Sequence, residues 1–243
     1  MEHTAPYGWS PDVTLPPGQH ELDRFPRFGT HLHRPAPAVP AEPAIEIGGA
    51  VTAAFTLRLS ELAALPRREQ VSDFHCVAGW SATGLRWEGV PFAAFHREVL
   101  EPAVRPGAVV SHVVFGGLDG YRSVVALEDA LGDDVLIAEH LDGRPLDADH
   151  GAPVRLVSPS QYGFMSTKHL CRIELHTSEP SEDYAEAPLL VRVGLRHAAQ
   201  PHPRARVWEE ERHRHLPARV VRPVYRLLIA PIRFVSARGR GLR

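Results

Sequence analysis

The stretch Phe74-His75-Cys76-Val77-Ala78-Gly79-Trp80-Ser81 ends a short apolar run with a cysteine and follows it with a Gly-Trp turn. A second segment, Trp87-Glu88-Gly89-Val90-Pro91, lies a few positions downstream. The chain has two cysteines, and a thiolate held at the end of a rigid strand is either a soft metal ligand or a nucleophile. We therefore take Cys76 as the centre of the protein and interpret the rest of the chain as the fold that positions it.

The length and composition predict a globular protein with one large domain. The 243 residues are 44% hydrophobic, which is enough for a substantial core. We assign residues 1–24 to an irregular N-terminal arm, residues 25–177 to the domain and residues 178–243 to an Arg-rich C-terminal extension. No apolar run is long enough for a transmembrane span. The first residues lack the pattern of a secretory signal, so we expect a cytoplasmic protein.

Charge is distributed unevenly along the chain. Residues 198–243 contain eleven arginines and three glutamates, whereas the whole chain has a net charge of −2. This basic tail predicts contact with an acidic partner, an anionic membrane surface or the protein's own acidic body. We expect no nucleic-acid partner.

Lysine is almost absent from the sequence. Of the 27 basic residues 26 are arginines, and Lys168 is the exception. An ammonium and a guanidinium differ in shape and hydration, so a retained lysine indicates a specific contact. The alternative is a surface lysine with no special role.

Short apolar and β-branched runs between turns predict a mixed α and β fold. A hairpin is expected over residues 44–59, with its turn at Gly48-Gly49. Cys171 alternates with polar residues in the last strand and is interpreted as a small core residue. The expected strands are residues 71–78, 109–115, 135–141, 154–157 and 169–176. The expected helices are residues 61–65, 91–100 and 127–131, and residues 220–235 form an apolar segment interrupted by Pro223 and Pro231.

Three loops suit an anionic ligand. Two contain glycine, Gly116-Gly117-Leu118-Asp119-Gly120-Tyr121 and His150-Gly151-Ala152-Pro153, and Arg155 follows the second. The third, Ser166-Thr167-Lys168, ends at the single lysine. Exposed backbone N–H groups and nearby cations hold phosphate groups. The sequence has neither a Walker lysine motif nor Gly-x-Gly-x-x-Gly, so a nucleotide is not indicated.

Together these segments resemble the molybdopterin-binding domain of the sulfite oxidase family. The resemblance covers roughly residues 25–175, and Cys76 with Gly79-Trp80-Ser81 falls where that family has its metal-binding cysteine. The implied fold is α+β, a sulfite-oxidase-type molybdopterin-binding fold with mixed and antiparallel sheets and short helices around a central cofactor cleft. The blocks that carry the resemblance are 134–138, 141–146, 150–155 and 168–170.

The resemblance implies a molybdenum–molybdopterin cofactor, with Cys76 as the thiolate ligand of the metal and the catalytic residue. It implies an oxidoreductase that moves an oxygen atom, with two electrons, to or from a small substrate such as a sulfoxide. It also implies an electron-transfer partner, for which the basic tail is the expected docking surface. The other cofactor-binding residues that it implies are Phe28, Gly29, Thr30, His31, Asp119, His150, Arg155, Ser166, Thr167 and Lys168.

The chain departs from sulfite oxidases immediately after the cysteine. Those enzymes have oxyanion-binding arginines there, whereas this chain has Val77, Ala78, Gly79 and Trp80. We expect neither a haem domain nor a full dimerisation domain. These departures argue against sulfite as the substrate and favour a small cytoplasmic relative whose substrate is unknown.

Three other functions are compatible with parts of the sequence. The first is a molybdopterin-binding protein without turnover. The second is a zinc protein that uses His31-x-His33 or His213-x-His215 as ligands. The third is a hydrolase with Cys76 as nucleophile, although the adjacent His75 is expected on the opposite face of its strand.

Overall fold

Two β-sheets pack against each other and form the body of the protein. The computed structural model describes residues 14–28, 35–180 and 200–238, with side chains to residue 235. Gly29, Thr30 and His31, three of the residues assigned to the cofactor, and the His31-x-His33 pair lie outside the described residues.

The strands are short, apart from the two that carry the cysteine stretch. Their bounds are β1 His20–Glu21, β2 Ala44–Gly49, β3 Phe55–Arg58, β4 Arg68–His75, β5 Trp80–Pro91, β6 His112–Gly117, β7 Arg122–Ala126, β8 Leu136–Leu141, β9 Arg144–Pro145, β10 Arg155–Val157 and β11 Leu170–His176.

The first sheet has the order β1-β5-β8-β10, with β4 also paired to β5 and β9 to β8. The second has the order β3-β2-β11-β6-β7. The β1–β5 and β2–β11 pairs are parallel and the others are antiparallel. The predicted α+β class with mixed and antiparallel sheets is confirmed.

Among the described residues, helical structure is limited to short segments and one long C-terminal helix. The helices are α1 Phe92–Phe95, α2 Leu127–Ala130 and α3 Ala218–Arg238. A 3₁₀ segment covers Leu59–Ala64, and a π turn and a second 3₁₀ turn, His96–Leu100 and Glu101–Ala103, continue α1. Pro91 precedes α1 as its N-cap residue, which agrees with the predicted helix start.

The first sheet is buried on both faces. In β8, Ile137 belongs to the main core between the sheets, whereas its neighbours Leu136 and Ala138 belong to a second apolar cluster. Alternate residues of a strand point to opposite faces, so the second cluster covers the far side of this sheet. Cys76 and Trp80 lie in that second cluster, and Ile229 of α3 packs there too.

Three local predictions need correction. Gly48 and Gly49 end β2, and the turn of the hairpin follows them. Cys171 is half-buried and not a core residue, because the β11–β6 register shifts between Leu170 and Arg172 and disturbs the alternation. Pro223 and Pro231 do not divide the C-terminal apolar segment, since α3 continues through both.

The C-terminal part of the chain contributes to the core. Ala205 and Val207 are fully buried in the main cluster. The predicted boundary at residue 177 stays a prediction. Within the described residues, none of the helices has the combination of length and apolar character needed to cross a bilayer.

Candidate functional site

Cys76 occupies the loop between β4 and β5. Its N–H donates to the Trp80 carbonyl at 2.8 Å, and the N–H of Gly79 donates back to the Cys76 carbonyl at 2.9 Å. Gly79 has φ +96°, a conformation that L side chains rarely adopt, and it lies against the Gly18 carbonyl. This tight loop holds the Cys76 side chain almost fully buried, with 8% exposed.

The surroundings of Cys76 favour the protonated thiol over the thiolate in the absence of a metal. Burial raises the pKa of the Cys76 thiol to about 12, and three weaker effects oppose this: a hydrogen bond from the Ala78 backbone and the charges of Arg212 and Lys168. In the metal-free protein the sulfur is therefore protonated at neutral pH. A metal that binds the thiolate has to displace this proton, and two cations help to stabilise the thiolate that results.

Arg155 is fully buried, and its hydrogen bonds connect the loop at His150 with the loop at Ser166. Its guanidinium donates to the carbonyls of His150 at 3.0 Å, Ser166 at 3.1 Å and Leu156 at 3.2 Å. The rings of Phe74 and Trp87 lie 5.4 Å from its central carbon. Burial lowers the pKa of Arg155 to about 9. The charge is thus enclosed by carbonyl groups and aromatic rings, without a carboxylate partner among the described residues.

His150 connects this loop to Phe25. Its Nδ1 lies 2.7 Å from Asp147 Oδ1, and its Nε2 lies 3.1 Å from the Phe25 carbonyl oxygen. The hydrogen bond from His150 lowers the pKa of Asp147 to about 2. His150 therefore has partners at both ring nitrogens, and its ring also packs on Phe25, with centroids 4.9 Å apart.

Lys168 is buried beside two arginines and two aspartates. Its Nζ donates to the Asp149 carbonyl at 2.7 Å, and Arg27 lies 3.5 Å from the Asp149 carboxylate. Burial, followed by the charges of Arg155 and Arg27, lowers the pKa of Lys168 to about 7, although Asp149 and Asp119 act in the opposite direction. With Lys168 protonated, three cations face two carboxylates, and this excess of positive charge favours an anionic ligand, which would in turn raise the pKa of Lys168.

Glycine allows the loops to approach this lysine closely. Gly151 has φ +107°, and a Cβ there would lie 3.1 Å from Lys168 Cβ and 3.2 Å from Arg155 Cβ. A Cβ at Gly117 would lie 2.4 Å from the Lys168 carbonyl oxygen. Any side chain at either position would push apart the loops that surround the cations.

The other predicted ligands differ in their surroundings. The Ser166 Oγ accepts the Ser158 N–H at 3.1 Å, and the Thr167 Oγ1 lies 2.8 Å from Ser123 Oγ, so both hydroxyls already have protein partners. Asp119 lies exposed at the rim, where its carboxylate accepts the Tyr121 N–H at 3.0 Å. Phe28 packs edge-on against Trp80, with centroids 5.4 Å apart. The role of each in cofactor binding stays a prediction.

Arg212 is a site residue that the sequence did not single out. Its side chain is fully buried, and it donates to the carbonyls of Val77 and, at 3.3 Å, Pro17. It also pairs with Glu210 at 3.5 Å. Arg212 therefore connects the C-terminal part of the chain to the Cys76 loop through hydrogen bonds. No signal separated it from the other ten arginines of the tail, and Arg27 was missed in the same way.

The residues fit a bound molybdopterin. The indole N–H groups of Trp80 and Trp87 are buried and have no acceptor among the described residues. Both tryptophans belong to the cluster that contains Cys76, so a ligand beside Cys76 that carries acceptors would give these donors partners. The thiol of Cys76 suits the metal of such a cofactor, and the cations suit its phosphate. The two indole N–H groups suit the nitrogen and oxygen acceptors of its ring system.

The two rival sites receive no support from the described residues. Across residues 14–28, 35–180 and 200–238, no group of three His, Cys, Asp or Glu side chains is placed to hold a metal ion. His213 instead lies 2.7 Å from the Tyr225 hydroxyl. The Nδ1 of His75 lies 2.8 Å from Ser81 Oγ, so this histidine is engaged by Ser81.

Comparison with known proteins identifies related chains. The model of the "Oxidoreductase molybdopterin binding domain" family matches residues 32–184. The chain is 32% identical over 136 residues to the "Putative protein-methionine-sulfoxide reductase subunit YedZ1" of Azospira oryzae, covering 56% of this chain and 50% of that protein. It is 32% identical over 131 residues to the "Uncharacterized oxidoreductase YuiH" of Bacillus subtilis, covering 54% of this chain and 63% of that protein.

A solved structure supports the fold. The sulfane dehydrogenase SoxCD of Paracoccus pantotrophus superposes with a TM-score of 0.50 at 21% identity, covering 58% of this chain and 39% of that one. The chain spans between half and two thirds of the length of the two curated relatives.

Proposed function

Because this chain belongs to the oxidoreductase molybdopterin-binding domains of the sulfite oxidase family, we propose that it transfers an oxygen atom, with two electrons, between a small substrate and a molybdenum centre bound by Cys76. The observation that carries the proposal is the buried thiol of Cys76, held in a tight loop within the field of Lys168 and Arg212. The family binds molybdopterin, and the residues around Cys76 fit that cofactor.

In this proposal the protein holds the cofactor at three kinds of contact. Cys76 binds the metal as a thiolate. Lys168, Arg155 and Arg27 offset the charge of the phosphate, and the indole N–H groups of Trp80 and Trp87 donate to acceptors of the pterin. When bound, the cofactor would supply the two-electron redox change. The protein orients the cofactor and excludes water from it.

The proposed substrate class is a sulfoxide or a similar neutral oxo compound. Val77, Ala78, Gly79 and Trp80 provide no cation directly after the cysteine, and the guanidinium of Arg212 is occupied by the Val77 and Pro17 carbonyls and by Glu210. A doubly charged substrate such as sulfite would find few free donors there. The name of the Azospira relative, a putative methionine-sulfoxide reductase subunit, is consistent with this substrate class.

A two-electron reaction also requires an electron-transfer partner. The sequence placed it on the basic tail, but many arginines of the tail pair with the protein's own carboxylates. Arg204 pairs with Asp129 at 2.5 Å and Arg206 with Glu211 at 2.6 Å. Fewer arginines of the tail are therefore available to bind such a partner than the composition of residues 198–243 suggests.

Elemental analysis for molybdenum, followed by activity assays, tests the proposal. We expect about one molybdenum per chain, and pterin fluorescence after oxidation, in protein purified from a host that makes the cofactor. With a chemical reductant the protein should then reduce sulfoxides, and with a chemical electron acceptor the oxidised protein should leave sulfite unoxidised. No molybdenum and no pterin, in a host that loads a control enzyme, would contradict the proposal. A loaded protein without turnover on any oxo compound would instead make it a cofactor-binding protein.

Lys168 should give the cofactor-free protein a distinctive pH dependence. Its folded-state pKa, about 7, lies below the ordinary value of 10.5, so the unfolded chain binds more protons between these pH values. Stability from this group therefore rises as pH rises from about 7 to about 10.5. We expect the melting temperature of the wild type, relative to Lys168→Met, to increase over this range.

Lys168→Arg is the matched control, since a guanidinium stays charged over the whole range. This variant should not gain stability relative to Lys168→Met as the pH rises. If the wild type and Lys168→Arg follow the same pH curve, Lys168 does not titrate as described.

A further inference from the structure

One face of α3 is apolar and exposed. Val220, Val224 and Leu227 are 55%, 56% and 78% exposed, and Leu228 is 41% exposed. Their spacing of three and four residues places them on one side of the helix, together with the exposed Pro231. We call these five residues the α3 stripe.

The opposite face of α3 is fixed to the domain. Ile229 is buried in the cluster that contains Cys76. Tyr225 stacks on His213, with centroids 5.6 Å apart, and Arg222 donates to Glu210 at 2.7 Å. Within the described residues these contacts attach the helix to the domain, and the stripe points away from them.

The charges on α3 are all positive. Residues 218–238 include no Asp or Glu. Arg219 and Arg226 are exposed, and within the part of the chain that the structure describes they pair with no carboxylate. They differ in this from Arg204, Arg206 and Arg222, whose charges are offset by the protein's own acidic groups.

We propose that α3 docks the protein on an anionic lipid bilayer, with the stripe inserted among the upper acyl chains and Arg219 and Arg226 beside lipid phosphates. An interfacial helix combines one apolar face with basic residues next to it, and binds through both. A second copy of the chain fits less well: pairing two stripes would bring like charges together, and α3 has no carboxylate to offset them. This inference does not depend on the proposed reaction.

Vesicle sedimentation of the full-length chain tests the proposal. We expect binding to phosphatidylcholine vesicles that contain phosphatidylglycerol, and little binding to phosphatidylcholine alone. Val224→Glu with Leu227→Glu should reduce the partition coefficient by more than about tenfold, since two exposed apolar contacts are lost. Arg219→Gln with Arg226→Gln should reduce it by about fivefold for each arginine and remove most of the salt dependence.

Matched controls separate the helix from general surface effects. Val109 is 80% exposed on the body of the protein, so Val109→Glu should leave vesicle binding unchanged. Arg97, also exposed on the body, gives the control Arg97→Gln. The variants should keep the melting temperature of the wild type, because every substituted side chain is exposed.

Three outcomes would overturn the proposal. The first is no uptake by anionic vesicles, which would leave an acidic protein as the occupant of the stripe. The second is a dimer in solution that Leu227→Glu separates while vesicles bind nothing. The third is uptake that the control variants reduce as much as the α3 variants do.

Discussion

Cys76→Ala is expected to lower oxygen-atom transfer by more than about 100-fold, because even the loss of residues that only support a metal ligand costs 10- to 100-fold. The variant should keep its pterin, since Lys168, Arg155 and Arg27 still offset the phosphate. The measurements are molybdenum and pterin content and turnover with a sulfoxide under a chemical reductant. The metal should also lose the absorption that a bound thiolate gives it.

Cys171→Ala is the matched control, since it removes the other cysteine of the chain. Cys171 is half-buried in β11, and the substitution removes one small side chain. Its turnover and metal content should match those of the wild type. Full activity in Cys76→Ala would mean that another residue binds the metal and that the assignment of Cys76 is wrong.

Arg155→Ala is expected to lower the free energy of unfolding by about 3–5 kcal/mol, because each buried carbonyl left without its donor costs about 1–3 kcal/mol. Three carbonyls, those of His150, Leu156 and Ser166, would lose their donor. In a chain of this size the melting temperature should fall by roughly 10 °C. Thermal and denaturant unfolding of the cofactor-free protein measure the effect without any contribution from binding.

Arg172→Ala provides the comparison for the same change of residue type at a surface. The Arg172 side chain is 52% exposed and pairs with Glu46 at 2.6 Å, so its loss should cost less than about 1 kcal/mol. Arg155→Lys should be intermediate, because an ammonium keeps the charge but cannot reach all three carbonyls. Equal melting temperatures for Arg155→Ala and Arg172→Ala would show that Arg155 does not hold the loops together.

The sequence predicted the parts of the site that lie close together along the chain. The Cys76 loop was visible because a cysteine before Gly-Trp at a strand end is a local pattern. The unusual environment of Lys168 followed from composition, since it is the one lysine beside 26 arginines. The α+β class followed from short alternating runs, which are also local.

Long-range contacts could not be predicted in this way. Arg212 reaches the Val77 carbonyl across 135 positions, and one arginine among many gives no sign of such a contact. The role of Arg155 was also only partly foreseen: a contact with the anion was expected, whereas its observed bonds are to backbone carbonyls. The exposure of Cys171 depends on a bulge in β11, which alternation alone does not reveal.

The contact between Arg212 and the Cys76 loop has a consequence for the order of events during synthesis. The ribosome completes the loop long before it reaches Arg212, and Pro17, which Arg212 also contacts, is made earlier still. In the nascent chain the Cys76 loop therefore lacks its hydrogen bond from Arg212 until residue 212 has left the exit tunnel and reached the loop. The loop that would bind molybdenum in the proposed function therefore reaches its observed arrangement only after residue 212 has been made.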